Sequence, residues 1–350
     1  MRFYCFTVPG LEGVAAAEIG RCLPGARLAE RLPGVVFFAH EGDPSPLLRL
    51  STVEDVFALV ARGPVSGQRR GLQEAEALVE SAADLEAALA VLRRLRPRKV
   101  RQVTFRVVVQ RRGGGHQYIR PELGRRIAAG LGRRFRRWRQ VDEGAVVEVW
   151  VLQHGEEVVC GLRLSDRHMR HRAYKQASIE ASLRPTVARS MVVLSDPQDD
   201  DLFLDPFCGA ATILIERGEH GRYAGLLGGD LDPRAVAAAR ANIGPRYRPI
   251  AVWQGDAGRL PLAPQSVTRV VTNLPFGHRV GSPSALPELY RGFLAESLRV
   301  LRPGGRLVLL TSEKPLLQEV LAEVGGTTLE RILPLQLLGR RAFLSVARVD

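Results

Sequence analysis

The chain has 350 residues, of which 45% are hydrophobic and 25% charged, and its formal net charge is +13. This is the composition of a soluble globular protein with room for two or three domains. The absence of an apolar run of about 18 residues argues against a membrane span, and the first residues lack the apolar core of a signal peptide. Four scattered cysteines without a CxxC pair argue against a zinc site or a disulfide framework, and favour a reducing cytoplasm.

The first half of the chain mixes strands and helices without a regular βαβ order, so we predict an α+β region. Residues 1–60 combine strand-like pieces, RFYCFTV and GVVFFAH, with a helix that begins near Glu12. Residues 103–109 alternate as a strand, and residues 144–165 predict a β-hairpin with its turn near His154. Between them, apolar residues at helical spacing predict one long helix. These residues are Leu123, Ile127, Leu131, Phe135 and Trp138.

Charge is concentrated in this half. Between Arg93 and Arg139 there are 17 basic residues and one acidic residue, Glu122. Such clustering is typical of a protein that binds nucleic acid, although a solvated basic surface is the alternative.

From about residue 175 strands and helices alternate, which predicts a doubly wound and mostly parallel sheet. The last two strands have no helix between them, so one of them should be antiparallel. The first helix of this half should contain Pro185 inside it or near a kink. No GxGxxG follows the first strand and no GxxxxGK[ST] occurs, which argues against a dinucleotide dehydrogenase and a P-loop NTPase.

Polar residues follow four successive strands of this sheet, where α/β proteins bind ligands. Asp205 precedes the small-residue loop PFCGAAT, which lets a ligand approach a helix N-terminus. Asp230 is placed to accept hydrogen bonds from ribose hydroxyls, and Asp256 to accept one from a purine amine, whereas Asp232 caps the next helix. The fourth strand ends in Asn273.

The segments DPFCGAAT, GGDLDPRAVAAARANI, QGDA and TNLPFG resemble, in this order and spacing, class I S-adenosylmethionine-dependent methyltransferases. They are most similar to the amino-methylating branch with an Asn/Asp-Pro-Pro-Tyr/Phe motif. Upstream, FRVVVQRRGGGHQYIRPELGRRIAAGL and VEVWV resemble a THUMP domain, a module that recognises the acceptor end of tRNA. Together these features resemble the TrmN-like, THUMP-containing tRNA guanine-N2 methyltransferases, which modify guanosine 6 of the acceptor stem.

The resemblance implies an N-terminal ferredoxin-like segment (1–60), a THUMP domain (61–170) and a Rossmann-like methyltransferase domain (171–350). It implies transfer of a methyl group from S-adenosylmethionine to the exocyclic amine of a flipped guanosine, at position 6 of tRNA. A ribosomal RNA guanine-N2 methyltransferase and a catalytically silent RNA-binding protein remain open alternatives. We expect a cytoplasmic monomer that binds the 3′ end and acceptor stem of tRNA, with no metal and no membrane partner.

The resemblance also implies roles for individual residues. The catalytic motif would be Asn273, Leu274, Pro275 and Phe276. The cofactor would contact Arg184, Asp205, Phe207, Gly209, Ala211, Thr212, Asp230, Leu231, Asp256, Ala257 and Asn273. Candidate RNA contacts are Arg111, Arg112, Arg133, Arg134 and Arg279. Two positions depart from the family pattern: Leu274 stands where many relatives have Pro, and Ala211 replaces a glycine, which should narrow the room for the methionine tail.

The motif suits methylation of an amine. The Asn273 side-chain oxygen and the carbonyl of Leu274 or Pro275 would accept its N–H groups and absorb developing positive charge. Phe276 would stack on the base. The alternative is a strand-ending turn with a core phenylalanine. Methylation at cytosine C5 would need a cysteine nucleophile beside the motif, and Cys208, the nearby one, falls in the cofactor loop.

Overall fold

The computed structural model describes residues 1–177, 179, 182–276, 285–337 and 339–350. The chain divides into two compact units. Unit 1 comprises Met1–Phe6, Glu18–Leu50 and Asp55–Met169, and unit 2 comprises Thr7–Ala17, Ser51–Glu54 and Arg170–Asp350. Two short N-terminal segments therefore belong to the unit that the C-terminal half forms.

Unit 1 is built on an eight-stranded mixed sheet. Its strands are β1 (Arg2–Phe6), β2 (Arg27–Leu32), β3 (Val35–Ala39), β4 (Asp55–Pro64), β5 (Thr104–Arg112), β6 (Arg139–Gln140), β7 (Val147–His154) and β8 (Glu157–Arg163). They are ordered β2-β3-β1-β4-β8-β7-β5-β6. Strand β5 pairs in parallel with β6 and β7. Strands β7 and β8 form the predicted antiparallel hairpin. The boundary predicted at residue 60 falls within β4, and the three-domain division stays a prediction.

An aromatic cluster fills one face of the unit 1 sheet. Tyr4 stacks on Phe57 with 4.7 Å between ring centroids, and Phe57 also contacts Trp150 at 5.6 Å. All three are buried. Aromatic pairs of this kind add about 0.5–1.5 kcal/mol beyond the area they bury.

Four helices begin within the first 169 residues: α1 (Glu12–Cys22), α2 (Gly71–Glu80), α3 (Leu85–Leu95) and α4 (Arg120–Arg134). The prediction that α4 continues through Phe135 and Trp138 is wrong. The chain leaves the helix because Arg139–Gln140 adds to the edge of the sheet beside β5. Sheet pairing outweighs the local helical periodicity here.

Unit 2 contains the predicted doubly wound sheet. Its strands are β9 (Leu202–Asp205), β10 (Gly225–Asp230), β11 (Ile250–Gln254), β12 (Val267–Asn273), β13 (Leu301–Thr311), β14 (Thr327–Leu337) and β15 (Arg340–Val349). They are ordered β11-β10-β9-β12-β13-β15-β14. The first five in this order are parallel, whereas β15 is antiparallel to both of its neighbours. The prediction of one antiparallel strand is confirmed, and it is the last strand of the chain.

The helices of unit 2 include α5 (Pro185–Leu194), α6 (Thr212–Gly218), α7 (Pro233–Ile243), α8 (Leu286–Val300) and α9 (Lys314–Val324). The expectation that Pro185 lies inside a helix is wrong, because α5 begins at Pro185. Proline lacks an N–H and is favoured at the first helical position, and it holds the preceding residue, Arg184, in an extended conformation. Within the described residues, no helix is both long and apolar enough for a membrane span.

Candidate functional site

The candidate site lies at the carboxyl ends of the parallel strands in the unit 2 sheet. Strands β11, β10, β9 and β12 are parallel neighbours. Strand β9 ends at Asp205, β10 at Asp230 and β12 at Asn273, and Asp256 follows β11 by two residues. Because parallel neighbours end at the same edge, the structure brings together the four polar residues that the sequence placed at strand ends.

The loop after β9 is attached to the ends of two strands. The backbone N–H of Phe207 donates to Asp205 Oδ1 at 3.3 Å, and that of Gly209 donates to Asp230 Oδ2 at 2.9 Å. Gly209 has a φ of 52°, a left-handed conformation that favours glycine. The loop then enters α6 at Thr212. Its backbone therefore wraps closely around the two carboxylates.

Asp205 is the most perturbed acid of the site. It is 1% exposed. Burial raises the pKa of its carboxyl to about 7, and the negative charge of Asp230 acts in the same direction. Hydrogen bonds from Thr272 Oγ1, at 2.6 Å, and from the Phe207 N–H lower the pKa, but do not cancel the effect of burial. Near neutral pH this carboxyl lies close to the midpoint of its titration.

A cavity of about 50 Å³ adjoins this loop. Ile179, Ser182 and Asn273 line it together with Asp205 and Gly209. Ser182 Oγ and Asn273 Oδ1 are buried, and among the described residues neither has a hydrogen-bond partner. Unpartnered buried polar atoms are uncommon and call for an explanation. Beside the Asp205 carboxyl, they suit a ligand that carries both hydrogen-bond donors and positive charge.

Ala211 has a left-handed backbone conformation at the end of the loop that precedes α6. It is fully buried and precedes α6 with a φ of 64°. A left-handed conformation costs a residue with a side chain about 1–2 kcal/mol. The glycine that the family pattern has at this position would avoid that strain. The narrower room for a methionine tail remains a prediction.

Asp230 and Asp256 hold the neighbouring turns. Asp230 Oδ1 accepts from the Asp232 N–H at 3.0 Å. Asp232 caps α7 by accepting from the Arg234 N–H at 2.9 Å, which confirms the predicted cap. Asp256 Oδ1 accepts from the N–H of Gly258 at 2.8 Å. Each carboxylate therefore keeps acceptor capacity for a ligand, since two oxygens offer about four lone-pair sites.

The remaining predicted cofactor contacts have different surroundings. Leu231 is 69% exposed, whereas Ala257 and Thr212 are buried. Phe207 contacts Phe293 edge-on, with ring centroids 5.3 Å apart. The guanidinium of Arg184 forms an ion pair with Glu54, also of unit 2, at 2.6 Å, so this predicted cofactor contact already has a carboxylate partner.

The turn after β12 is held by two neighbouring elements. The Leu274 N–H donates to Leu310 O of β13 at 2.9 Å, and the Leu274 side chain is buried. The carbonyl of Pro275 accepts from the Tyr290 hydroxyl of α8 at 2.9 Å. Phe276 is half-buried against the apolar core. Residue Gly277, the last of the quoted motif, lies outside the described residues.

Two residues of this site were not identified from the sequence. Ser182 lies in the segment SLRPTVA, which resembles a cofactor-covering motif, and its position two residues before Arg184 was the available signal. Tyr290 gave no signal, because helical periodicity marks it only as a core residue of α8. No group of three or more His, Cys, Asp or Glu side chains suited to a metal ion occurs in the part of the chain that the structure describes.

The predicted RNA contacts of unit 1 are largely engaged within that unit. Arg111 donates to Gln153 Oε1 at 2.9 Å and to the carbonyl of Tyr118 at 2.8 Å. Arg133 pairs with two glutamates of α2, and Arg134 donates to two backbone carbonyls. Arg112 is half-buried. Arg279 lies outside the described residues.

Other arginines of unit 1 are free. Among the described residues, the side chains of Arg136, Arg137 and Arg139 make no hydrogen bond or ion pair, and all three residues are exposed. They flank Phe135 and Trp138, which stack with 4.0 Å between ring centroids and are partly exposed. We call these five residues the arginine–aromatic surface. The helical spacing of the sequence extended α4 through both aromatics and favoured a core position for Trp138 over stacking on a base.

The chain is similar to known methyltransferases. Residues 172–331 match the family described as "UPF0020: RMKL-like, methyltransferase domain". The protein named tRNA (guanine(6)-N(2))-methyltransferase THUMP3 from Bos taurus is 34% identical over 235 residues, covering 63% of this chain and 46% of that protein. The tRNA (guanine(6)-N2)-methyltransferase of Thermus thermophilus is 35% identical over 221 residues, covering 62% and 65%.

The fold extends the similarity beyond these alignments. The crystal structure of TrmN from Thermus thermophilus matches with a TM-score of 0.80 and 28% sequence identity, covering 100% of this chain and 99% of that one. The alignments with the two curated relatives span about half to two thirds of their lengths. Unit 2 thus has the fold of a class I methyltransferase, residues 172–331 match the UPF0020 methyltransferase domain, and the chain is similar to tRNA guanine-N2 methyltransferases.

Proposed function

We propose that this protein transfers a methyl group from S-adenosylmethionine to the exocyclic amine of guanosine 6 in the acceptor stem of tRNA. The observation that carries the proposal is the buried Asn273 Oδ1, which lines the cavity and has no partner among the described residues. The choice of base and position is supported by the two curated relatives, whose names specify guanine 6.

The residues of the site fit the cofactor. When bound, S-adenosylmethionine supplies a methyl group carried on a positively charged sulfur. Asp205 and the loop through Gly209 would hold its methionine part, and a cationic group there would favour the ionised form of the Asp205 carboxyl. Asp230 would accept from the ribose hydroxyls, and Asp256 from the adenine amine. Ser182 Oγ, buried and unpartnered among the described residues, adds a hydroxyl that can donate or accept.

Two acceptors would orient the amine. Asn273 Oδ1 would accept one N–H, and the Leu274 carbonyl would accept the other. The Pro275 carbonyl already accepts from Tyr290, which favours Leu274 over Pro275 as the second acceptor. Acceptor oxygens held in fixed positions stabilise the positive charge that develops on the nitrogen during transfer. Positioning contributes most of the rate enhancement in such a transfer, because the amine needs no strong base to act as nucleophile.

Phe276 would stack on the guanine once the base has left the helix. A base inside a duplex cannot reach a pocket at the edge of a sheet, so the proposal includes base flipping. A stacked aromatic contributes about 1–3 kcal/mol to such binding.

Unit 1 would bind the RNA through the arginine–aromatic surface. Free guanidinium groups neutralise phosphates, and partly exposed aromatic rings stack on unpaired bases. The engaged Arg111, Arg133 and Arg134 are less available for phosphates than the free arginines. The THUMP assignment, the division at residues 60 and 170, the monomeric state and the cytoplasmic location are parts of the same proposal.

Methyl transfer tests the catalytic part of the proposal. The full chain is incubated with labelled S-adenosylmethionine and unmodified tRNA transcripts, and the nucleosides are then analysed. We expect N2-methylguanosine, lost in Asn273→Ala and retained in the control Ser266→Ala, which alters a partly exposed residue just before the start of β12. Cofactor binding without transfer to any tRNA would contradict the tRNA assignment and direct the assay to ribosomal RNA. Absence of cofactor binding would indicate a silent RNA-binding protein.

A binding assay tests the RNA surface. Charge reversal of Arg136 and Arg137 to Glu should weaken tRNA binding. It should also reduce the slope of log affinity against log salt concentration by the contribution of about two phosphate contacts. The control is Arg222→Glu, since Arg222 is an exposed arginine of unit 2. Equal affinities of the two variants would contradict an RNA contact at the arginine–aromatic surface.

A further inference from the structure

A fully buried tyrosine of α8 reaches the backbone of the catalytic turn. Tyr290 is 0% exposed. Its hydroxyl lies 2.9 Å from the carbonyl oxygen of Pro275 and 2.8 Å from Thr311 Oγ1, at the end of β13. The backbone N–H of Glu313 lies 2.9 Å from the same Thr311 oxygen. Four polar groups from three segments therefore form one continuous chain of hydrogen bonds.

The direction of every bond in this chain is determined. A carbonyl oxygen can only accept, so the single hydroxyl hydrogen of Tyr290 is donated to Pro275. Thr311 must then donate to Tyr290, and its oxygen accepts the N–H of Glu313. Burial raises the pKa of Tyr290 to about 12, so the phenol keeps this hydrogen at neutral pH. The chain has no alternative arrangement in which the Pro275 carbonyl stays bonded.

These bonds add helix α8 to the elements that hold the turn. The Leu274 N–H donates to Leu310 O of β13. From α8, Tyr290 holds the carbonyl of Pro275. The Asn273–Leu274 and Pro275–Phe276 peptide groups are therefore held by β13 and α8, and the Leu274 carbonyl lies in the chain between them.

We infer that Tyr290 is a positioning residue for methyl transfer, which sets the orientation of the Asn273–Phe276 turn through its hydrogen bond to the Pro275 carbonyl. The inference rests on the proposed function. Through this bond, Tyr290 directs the Pro275 carbonyl away from the amine and leaves the Leu274 carbonyl as the second acceptor beside Asn273. A phenylalanine would fill the same space without setting this orientation.

The test is Tyr290→Phe in the full chain, which removes one oxygen and keeps the ring. With tRNA and labelled S-adenosylmethionine, we expect kcat to fall by about 10- to 100-fold, because small misplacements of reacting groups have effects of this size. KM for the cofactor should change by less than about 2-fold, since its contacts other than Asn273 lie outside this turn. Thr311→Val keeps the hydrogen bond from Tyr290 to Pro275 and removes only the one that Thr311 donates to the Tyr290 hydroxyl. The effect of Thr311→Val on kcat should therefore be smaller. The double variant should be no slower than Tyr290→Phe alone.

The control is Tyr247→Phe, which removes a hydroxyl that contacts Glu219 near the end of α6, away from the site. It should leave kcat unchanged. A Tyr290→Phe variant with the kcat of the wild type, whatever its urea midpoint, would show that Tyr290 only packs. Equal falls in kcat for Tyr247→Phe and Tyr290→Phe would also overturn the inference. A wild-type chain that methylates no RNA would overturn the proposed function first, and this inference with it.

Discussion

Asp205 makes the stability of the protein without cofactor depend on pH in an unusual direction. Most acidic residues stabilise a fold more as pH rises, because their pKa is lower in the folded state. The Asp205 carboxyl is buried, and its pKa of about 7 lies above the ordinary value of 3.8. The folded chain therefore holds this proton more tightly than the unfolded chain, and stability is lost as pH rises from about 4 to about 7.

The size of this pH dependence follows from the shift in the pKa of Asp205. A displacement of about three pKa units corresponds to about 4 kcal/mol in total. Between about pH 5 and pH 8, the part that can be measured is about 2–3 kcal/mol. Asp205→Asn removes the ionisation and keeps an oxygen that can accept from Thr272 and the Phe207 N–H. The free energy of unfolding of this variant, minus that of the wild type, should rise by this amount over the same range.

Urea denaturation of both proteins, without cofactor, at several pH values measures this difference directly. Other titrating groups contribute equally to both proteins and cancel. A difference that stays constant from about pH 5 to pH 8 would contradict the raised pKa of Asp205, because the carboxyl would then ionise at or below its ordinary pKa of 3.8.

Two further predictions concern packing and buried hydrogen bonds. Asn242→Ala should destabilise the protein by about 3 kcal/mol in urea denaturation, because the buried amide bonds to the backbone of residues 176–177 and to Ala210 O; a loss below about 1 kcal/mol would contradict this. Gly161→Ala should destabilise by about 1–3 kcal/mol, since a Cβ would lie 2.5 Å from the buried Tyr4 ring. Its control, Gly132→Ala in α4, has no described atom within 4 Å of the added Cβ. That substitution should raise Tm slightly by helix propensity, and a loss of Tm there would contradict the reasoning.

The fold of unit 2 could be predicted from the sequence because its signals are local. Buried parallel strands appear as short apolar runs, and each ends in a polar residue that ligand binding can use. Asp205, Asp230 and Asn273 were therefore recognisable before their proximity was known. The single antiparallel strand followed from the missing helix between the last two strands.

Other features depend on contacts between distant residues. The end of α4 at Arg134 is set by pairing of Arg139 with β5, which helical periodicity cannot reveal. The engagement of Arg133 by glutamates of α2 likewise depends on how two helices pack. Tyr290 is the clearest case, because spacing shows that it is buried but cannot show that its hydroxyl meets Pro275.

Two tRNAs that differ by one amine test methyl transfer to guanosine 6 most directly. One transcript carries guanosine at position 6, and the other carries inosine, which lacks only the exocyclic amine. With labelled S-adenosylmethionine, we expect methyl incorporation into the guanosine tRNA and none into the inosine tRNA. Equal incorporation into both would contradict transfer to that amine at that position.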